Sequence, residues 1–245
     1  MNPTRTFATA TRVMRQLSHD HRTMALILVV PSLLMALMYF LFDGNPKAFT
    51  SVGGTMLAVF PFVVMFLVTS IATLRERSSG TLERLLALPL GKLDLILGYA
   101  LVFGFLAVLQ VSIALFVSVT WLDLNVAGSL GYLLLVSSVD AILGVALGLC
   151  ASALARTEFQ AIQFMPVFVL PQFLLCGLIV PRDKMVDWLT TASDFMPLTY
   201  AVEAINRVLR YDTVDDTFWR HITIIVLTAI GLLVIGSLTL RRRTS

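Results

Sequence analysis

Six apolar stretches, at 23–42, 54–74, 95–122, 126–154, 161–180 and 222–240, take up most of this 245-residue sequence. Each is long enough to cross the hydrocarbon core of a bilayer as a helix, which needs roughly 20 residues. Runs such as MALILVVPSLLMALMYFLF at 24–42 show none of the alternation that marks a transmembrane strand. Charged residues make up only 13% of the chain, about half the share usual in soluble domains. The expected fold is therefore all-α: a polytopic membrane protein of six transmembrane helices. The third and fourth stretches exceed the minimum and are expected to tilt or to run past the interface.

Lysine and arginine favour the cytoplasmic side of a membrane. Of the 18 basic residues, 12 fall on one side of this layout: the N-terminal arm (Arg5, Arg12, Arg15, Arg22), the stretch after the second span (Arg75, Arg77, Arg84, Lys92), Arg156 and the tail Arg241, Arg242 and Arg243. The other side holds Lys47, Arg182, Lys184, Arg207, Arg210 and Arg220. Both termini are thus expected in the cytoplasm of a multi-pass cell-membrane protein. The basic pI follows from this layout without any nucleic-acid partner. A cleaved signal peptide is not expected, because the first apolar run starts only at Thr23 and is long enough to span. Cys150 and Cys176 both fall in apolar stretches, which points to buried thiols rather than a disulfide or metal site.

Residues 1–22 form an N-terminal unit, 23–240 the membrane domain and 241–245 a basic tail. From residue 3 to 22 the pattern is amphipathic, with Arg5, Arg12, Arg15, His19 and Arg22 on one side and Phe7, Ala10, Met14 and Leu17 on the other. That pattern suits a helix lying in the headgroup layer. Residues 43–54, DGNPKAFTSVGG, read as a loop of turn formers. Asp123-Leu-Asn125 and Arg156-Thr-Glu158 read as tight turns. After the second span a short helix is expected from Ser78 or Ser79, with Leu82, Leu85, Leu86 and Leu90 as its apolar stripe and Pro89 and Gly91 as its stop. On periodicity alone this helix is an amphipathic connector resting on lipid.

The motif ERxxGTLERLLxxP, from Glu76 to Pro89 after the second of six spans, resembles the ABC-2 type permeases, especially the daunorubicin-resistance-like drug exporters. A second match, PQFLLCGLIVPRDKMVDWL followed by FMPLTYAVEAINRVLR, covers Pro171 to Arg210. There Asp187 stands where such outer segments frequently carry proline. The resemblance implies that Glu76, Arg77, Gly80, Thr81, Glu83 and Arg84 form a coupling helix that docks on an ATPase subunit. It implies that the N-terminal helix is a connecting helix touching the same subunit. The sequence has no GxxxxGK[ST] loop, so Mg-ATP is expected on a separate ATPase chain and no cofactor or metal on this one.

In the resembled family the second and fifth spans line a cleft between two permeases, either identical or paralogous. The candidate pathway residues here are Gln172 and, with aromatic and sulfur side chains that adapt to varied apolar cargo, Phe60, Met65, Phe66, Phe164 and Phe168; ordinary helix packing explains the apolar five equally well. Gln163 and Gln172 flank prolines (Pro166, Pro171) that free backbone carbonyls; either glutamine can satisfy one or meet a polar group on cargo. Asp140 is the one acid deep in a span, where an ionised carboxylate costs about 2.5–3.5 kcal/mol on insertion scales. Two readings stand: a neutral carboxyl bonded to Ser137 or Ser138, or a group that recognises cationic cargo or moves protons. Asp140 also opens a row with Gly144, Gly148 and Ser152, a small-residue seam for close helix contact. Outside, Pro181, Met185, Trp188, Pro197 and Tyr200 are candidates for an external gate, with an apolar face of Leu198, Ala201, Val202, Ile205 and Leu209 and an i, i+4 pair of Glu203 with Arg207.

The function expected is that of an exporter permease moving a hydrophobic or amphiphilic molecule, drug or lipid-like, outward with ATP hydrolysed by its partner. Membrane lipids and a second permease complete the expected partners. The alternatives are an ion-coupled secondary transporter and an exporter of a glycan or lipid-linked cargo. An intramembrane enzyme is disfavoured by the lack of paired aspartates, HExxH or GxSxG.

Overall fold

The computed structural model describes residues 3–78, 91–155 and 157–239. Helix α1 (Pro3–His19) stops at Asp20, whose carboxylate accepts hydrogen bonds from the hydroxyl and the backbone N–H of Thr23 and so caps α2 (His21–Leu41). Those bonds, the hydroxyl first, hold the Asp20 carboxyl below its ordinary pKa. Residues 42–45 make the turn after α2, with Gly44 in the left-handed region. The expected 43–54 loop is mostly helical instead. Pro46 occupies a first helical position and the Asn45 side chain accepts from the N–H of Ala48, so the chain re-enters a helix at once. It then passes a π-turn, Phe49–Gly53, into α3 (Gly54–Ser78).

The remaining described helices are α4 (Lys92–Thr120), α5 (Leu130–Leu154), α6 (Glu158–Phe168), α7 (Leu170–Leu175), α8 (Asp187–Asp194), α9 (Pro197–Arg210) and α10 (Asp216–Thr239). No strand occurs among the described residues. Six segments among the described residues are long and apolar enough to cross a membrane: His21–Leu41, Pro46–Glu76, Leu93–Thr120, Leu130–Leu154, Glu158–Leu175 and Asp216–Thr239. The chain is a multi-pass membrane protein.

Beyond the early start of the second span, the fifth runs Glu158–Leu175 rather than 161–180, ending just before Gly177 takes a positive φ, and two further boundaries differ for identifiable reasons. The fourth span starts at Leu130 rather than 126, because 126–128 cap another helix. The backbone N–H of Ala127 and of Gly128 donate to the carbonyls of Leu209 and Val208, which are left over at the end of α9. The turn from α4 is correspondingly longer than Asp123–Asn125 and holds Asp123 at φ 49. The last span starts at Asp216 rather than 222. Asp215 accepts from the N–H of Phe218 and nucleates the helix early, so Trp219, Arg220 and His221 are helical.

At the centre, α5 packs on α3 along the seam of small residues. A Cβ at Gly144 would collide with the Phe62 carbonyl, and one at Gly148 would lie 2.6 Å from the Phe66 carbonyl oxygen. The backbones approach because both positions lack side chains. Helices α4 and α10 pack on other sides of α5, and α2 lies against α3 and α4. Helix α1 lies on α4, where Gly98 admits Thr9. The buried face of α1 is Thr6, Thr9, Val13 and Leu17, while Phe7 is exposed. The expected apolar side is thus rotated, because small threonines fit the notch at Gly98 and Phe7 does not.

Candidate functional site

Ionic clusters mark the two ends of the bundle. At one end, the final turns of α3 carry Arg75 and Glu76, which reach to different helices. Arg12 of α1 donates through both terminal nitrogens to Glu76, at 2.7 and 3.3 Å, and also to the Tyr99 hydroxyl on α4 at 3.1 Å. The Glu76 side chain is only 7% exposed, so this fork-to-fork pair is largely shielded from water. Arg75 donates to both carboxylate oxygens of Glu158 at the start of α6. The end of α3 is therefore tied directly to α1 and α6, and through Arg12 to α4.

Of the six candidate coupling residues, Glu76 points into this cluster and Arg77 lies in the last turn of α3. Gly80, Thr81, Glu83 and Arg84, with the leucine stripe, lie outside the described residues. Sequence reasoning missed Arg12, Tyr99 and Glu158 as partners. A glutamate one turn from an apolar span needs a nearby cation, but nothing local says which arginine supplies it.

In mid-span, Met65, Phe66 and Asp140 are fully buried inside the bundle, and Gln172 nearly so. Phe60, Phe164 and Phe168 are partly exposed, the last two in edge contact at 5.7 Å between ring centroids. Gln172 acts as a bridge: its amide donates to the Phe168 carbonyl at 2.7 Å, and its side-chain oxygen accepts from the N–H of Leu198, in the first turn of α9. One side chain thus spans the break between α6 and α7 and caps an outer helix. The expected bond between Asp140 and a serine is not made. Both carboxyl oxygens, and the Ser137 and Ser138 hydroxyls, have no partner among the described residues. Ser138, two residues earlier, projects from a nearly opposite side of the helix.

At the other end, Arg182 is the hub. It donates to Glu203 of α9 and to Asp194 at the end of α8. Burial works against its charge, yet those two carboxylates outweigh it and hold the guanidinium above its ordinary pKa. His221 of α10 meets the second Glu203 oxygen at 3.4 Å. The Tyr200 hydroxyl donates to the Asp194 carbonyl at 2.7 Å, and its ring stands edge-on to His221. The expected pairing of Glu203 with Arg207 is not formed. Glu203 is taken by Arg182 and His221, and Arg207 by Asp215 at 2.5 Å, because both long-range partners lie closer to hand.

Among the candidate gate residues, Pro181 precedes the short 3-10 turn Arg182–Lys184, which Met185 ends. Pro197 opens α9, and the face Leu198, Ala201, Val202, Ile205 and Leu209 is buried as expected. Trp188 is 70% exposed on α8, away from the Arg182 hub. Asp187 fills the first helical position of α8, so the missing proline there does not disturb the turn.

Residues 4–209 match the ABC-2 type transporter family. The chain belongs to that family. Over 176 residues the chain is 28% identical to the probable multidrug ABC transporter permease YbhR of Escherichia coli K12, covering 71% of this chain and 48% of that protein. It is 25% identical over 182 residues to the probable multidrug ABC transporter permease YbhS of the same strain, covering 74% and 48% respectively. A third relative is the linearmycin resistance permease protein LnrN of Bacillus subtilis, 25% identical over 149 residues, covering 60% of this chain and 38% of LnrN. The chain spans about half the length of the two E. coli permeases.

Proposed function

We propose that this chain is the membrane subunit of an ATP-driven exporter, moving a hydrophobic or amphiphilic molecule outward while a separate chain hydrolyses ATP. The observation that carries the reading is the Arg12–Glu76–Tyr99 cluster, which stands immediately before the 79–90 segment. A displacement applied to that segment enters α3 where Glu76 is bonded to Arg12 of α1, and Arg12 passes it on to Tyr99 of α4. In this reading the Glu76 end faces the cytoplasm, in keeping with its excess of arginine, and Glu83 and Arg84 meet the ATPase.

A second copy or a paralogue completes the pathway. Helices α6 and α7 present Phe159, Ile162, Gln163, Val167 and Leu174 outward around a break in the helix. Irregular backbone at membrane depth is tolerated where protein covers it or water lines it, not against lipid. Phe164 and Phe168, together with Phe60 of α3, are the side chains of this region placed to meet cargo.

The test replaces Glu83 and Arg84 together by alanine in the permease reconstituted with its ATPase. Membrane insertion stays intact, ATP hydrolysis continues, and transport falls by about tenfold or more, the loss of one or two charge-assisted contacts. Unchanged transport defeats the docking role. Uphill transport by the permease alone on an ion gradient defeats the whole reading in favour of a secondary transporter.

A further inference from the structure

The Arg182 end of the bundle holds a cavity of about 630 Å3 among the 176–183 stretch, α9 and the 210–215 connection. Six charged side chains line it: Arg182, Arg207, Arg210, Asp183, Glu203 and Asp215. Four of them neutralise one another, Arg182 with Glu203 and Arg207 with Asp215. The other two do not. Arg210 and Asp183 are both exposed, and neither has an ion-pair partner among the described residues.

Arg210 and Asp183 also do not pair with each other, so more than 4.0 Å separates their charged atoms across a shared cavity. The lining as a whole carries three formal positive and three formal negative charges. A simple anion would gain Arg210 but face Asp183, and a simple cation the reverse. A ligand with both charges satisfies the pair: a phosphate or carboxylate takes the planar fork of Arg210, and an ammonium donates to Asp183. Pro181 and the ring of Tyr211, both exposed, give the wall an apolar surface where a hydrocarbon stem can lie. The volume lies within the range of roughly 300–1,000 Å3 usual for small-ligand sites.

We propose that this cavity binds a zwitterionic head group, an anionic phosphate or carboxylate joined to an ammonium by a short linker. The head group comes either from a phospholipid of the phosphoethanolamine type or from a soluble zwitterion. The assignment needs only residues of this chain and holds whether or not the protein is a pump, so it is tested on the purified permease without an ATPase.

The experiment offers the permease in detergent an equal mixture of phosphatidylethanolamine and phosphatidylglycerol and counts retained lipid by native mass spectrometry. The wild type retains phosphatidylethanolamine over phosphatidylglycerol by about tenfold, the discrimination expected of one charge-assisted contact. Asp183→Asn leaves Arg210 uncompensated and reverses the preference toward phosphatidylglycerol. Arg210→Gln lowers retention of phosphatidylethanolamine by a similar factor. Neither residue holds another element in place, and an unchanged melting temperature verifies that both variants fold. Free phosphoethanolamine in millimolar excess tells the sources apart: displacement of the lipid assigns the site to the head group alone, and retention assigns it to the lipid. Equal retention of the two lipids by the wild type, or an unaltered preference in Asp183→Asn, overturns the proposal.

Discussion

Two membrane spans, α5 and the broken pair α6–α7, stand in opposite situations, and the second is also the less apolar, at mean hydropathy 1.2 against 2.2. Most of α5 is inside the protein, 78% of its apolar window being buried, against 17% for Glu158–Leu175. The first is continuous and uses small residues to touch α3 backbone to backbone. The second carries Pro166 and Pro171, breaks at Val169, and turns bulky side chains outward. Hydropathy does not account for the difference in burial: α2, at mean hydropathy 2.5, is also only 17% buried, because lipid tails and a protein interior are equally apolar. What separates them is side-chain size at helical spacing: glycine and serine every fourth residue bring another helix close, whereas phenylalanine and proline hold one off.

The comparison is most directly broken at the seam. Gly144→Ala places a methyl group against the Phe62 carbonyl, and because the obstacle is backbone, the helices must part. The expected cost is about 3 kcal/mol, the upper end of overpacking penalties, and about 1–3 kcal/mol for Gly148→Ala. Gly231→Ala in α10, where a new Cβ meets nothing within 4 Å, serves as the control and does not lower stability. Melting of the purified variants in detergent measures all three. Equal melting temperatures would mean that the close approach of α3 and α5 does not hold the bundle together.

The broken span is held differently, by a hydrogen-bonding side chain instead of close packing. Gln172→Leu keeps the bulk but removes both bonds of the bridge, leaving the Phe168 carbonyl and the Leu198 N–H without it. Loss of buried hydrogen-bond partners costs about 1–3 kcal/mol. The effect should be local: hydrogen exchange rises in 166–175 and at the start of α9, while α5 stays protected. A uniform rise across α5 as well would show that the two spans melt as one unit and that the contrast drawn here is false.

Much of this arrangement can be read from the residues themselves. The six spans, the seam from Asp140 to Ser152, the start of α9 at Pro197 and its apolar face follow from local periodicity and capping. The partners of charged residues do not. Glu203 and Arg207 sit at the right spacing to pair, yet each binds a residue brought in by chain topology: Arg182 across the turn after α7, and Asp215 just before α10. Arg12 is basic on a basic face and looks like a lipid contact, and only the packing of α1 on Gly98 aims it at Glu76, 64 positions away in sequence. Phe7 is misassigned for the same reason. A hydrophobic pattern identifies which side chains avoid water, but it does not distinguish lipid from protein as the alternative.

Asp140 lies in the buried span and yields the smallest expected effect. It opens the seam, fully buried, with neither carboxyl oxygen bonded among the described residues. Asparagine has the same shape, so Asp140→Asn preserves the contact of α5 with α3 and shifts melting far less than either glycine variant. If its acidity serves recognition, export of cationic cargo falls while neutral cargo is spared, because asparagine keeps the size and loses the ability to carry negative charge. A loss that strikes every cargo equally, with melting lowered to match, would place Asp140 among the packing residues and erase its distinction from the rest of the row.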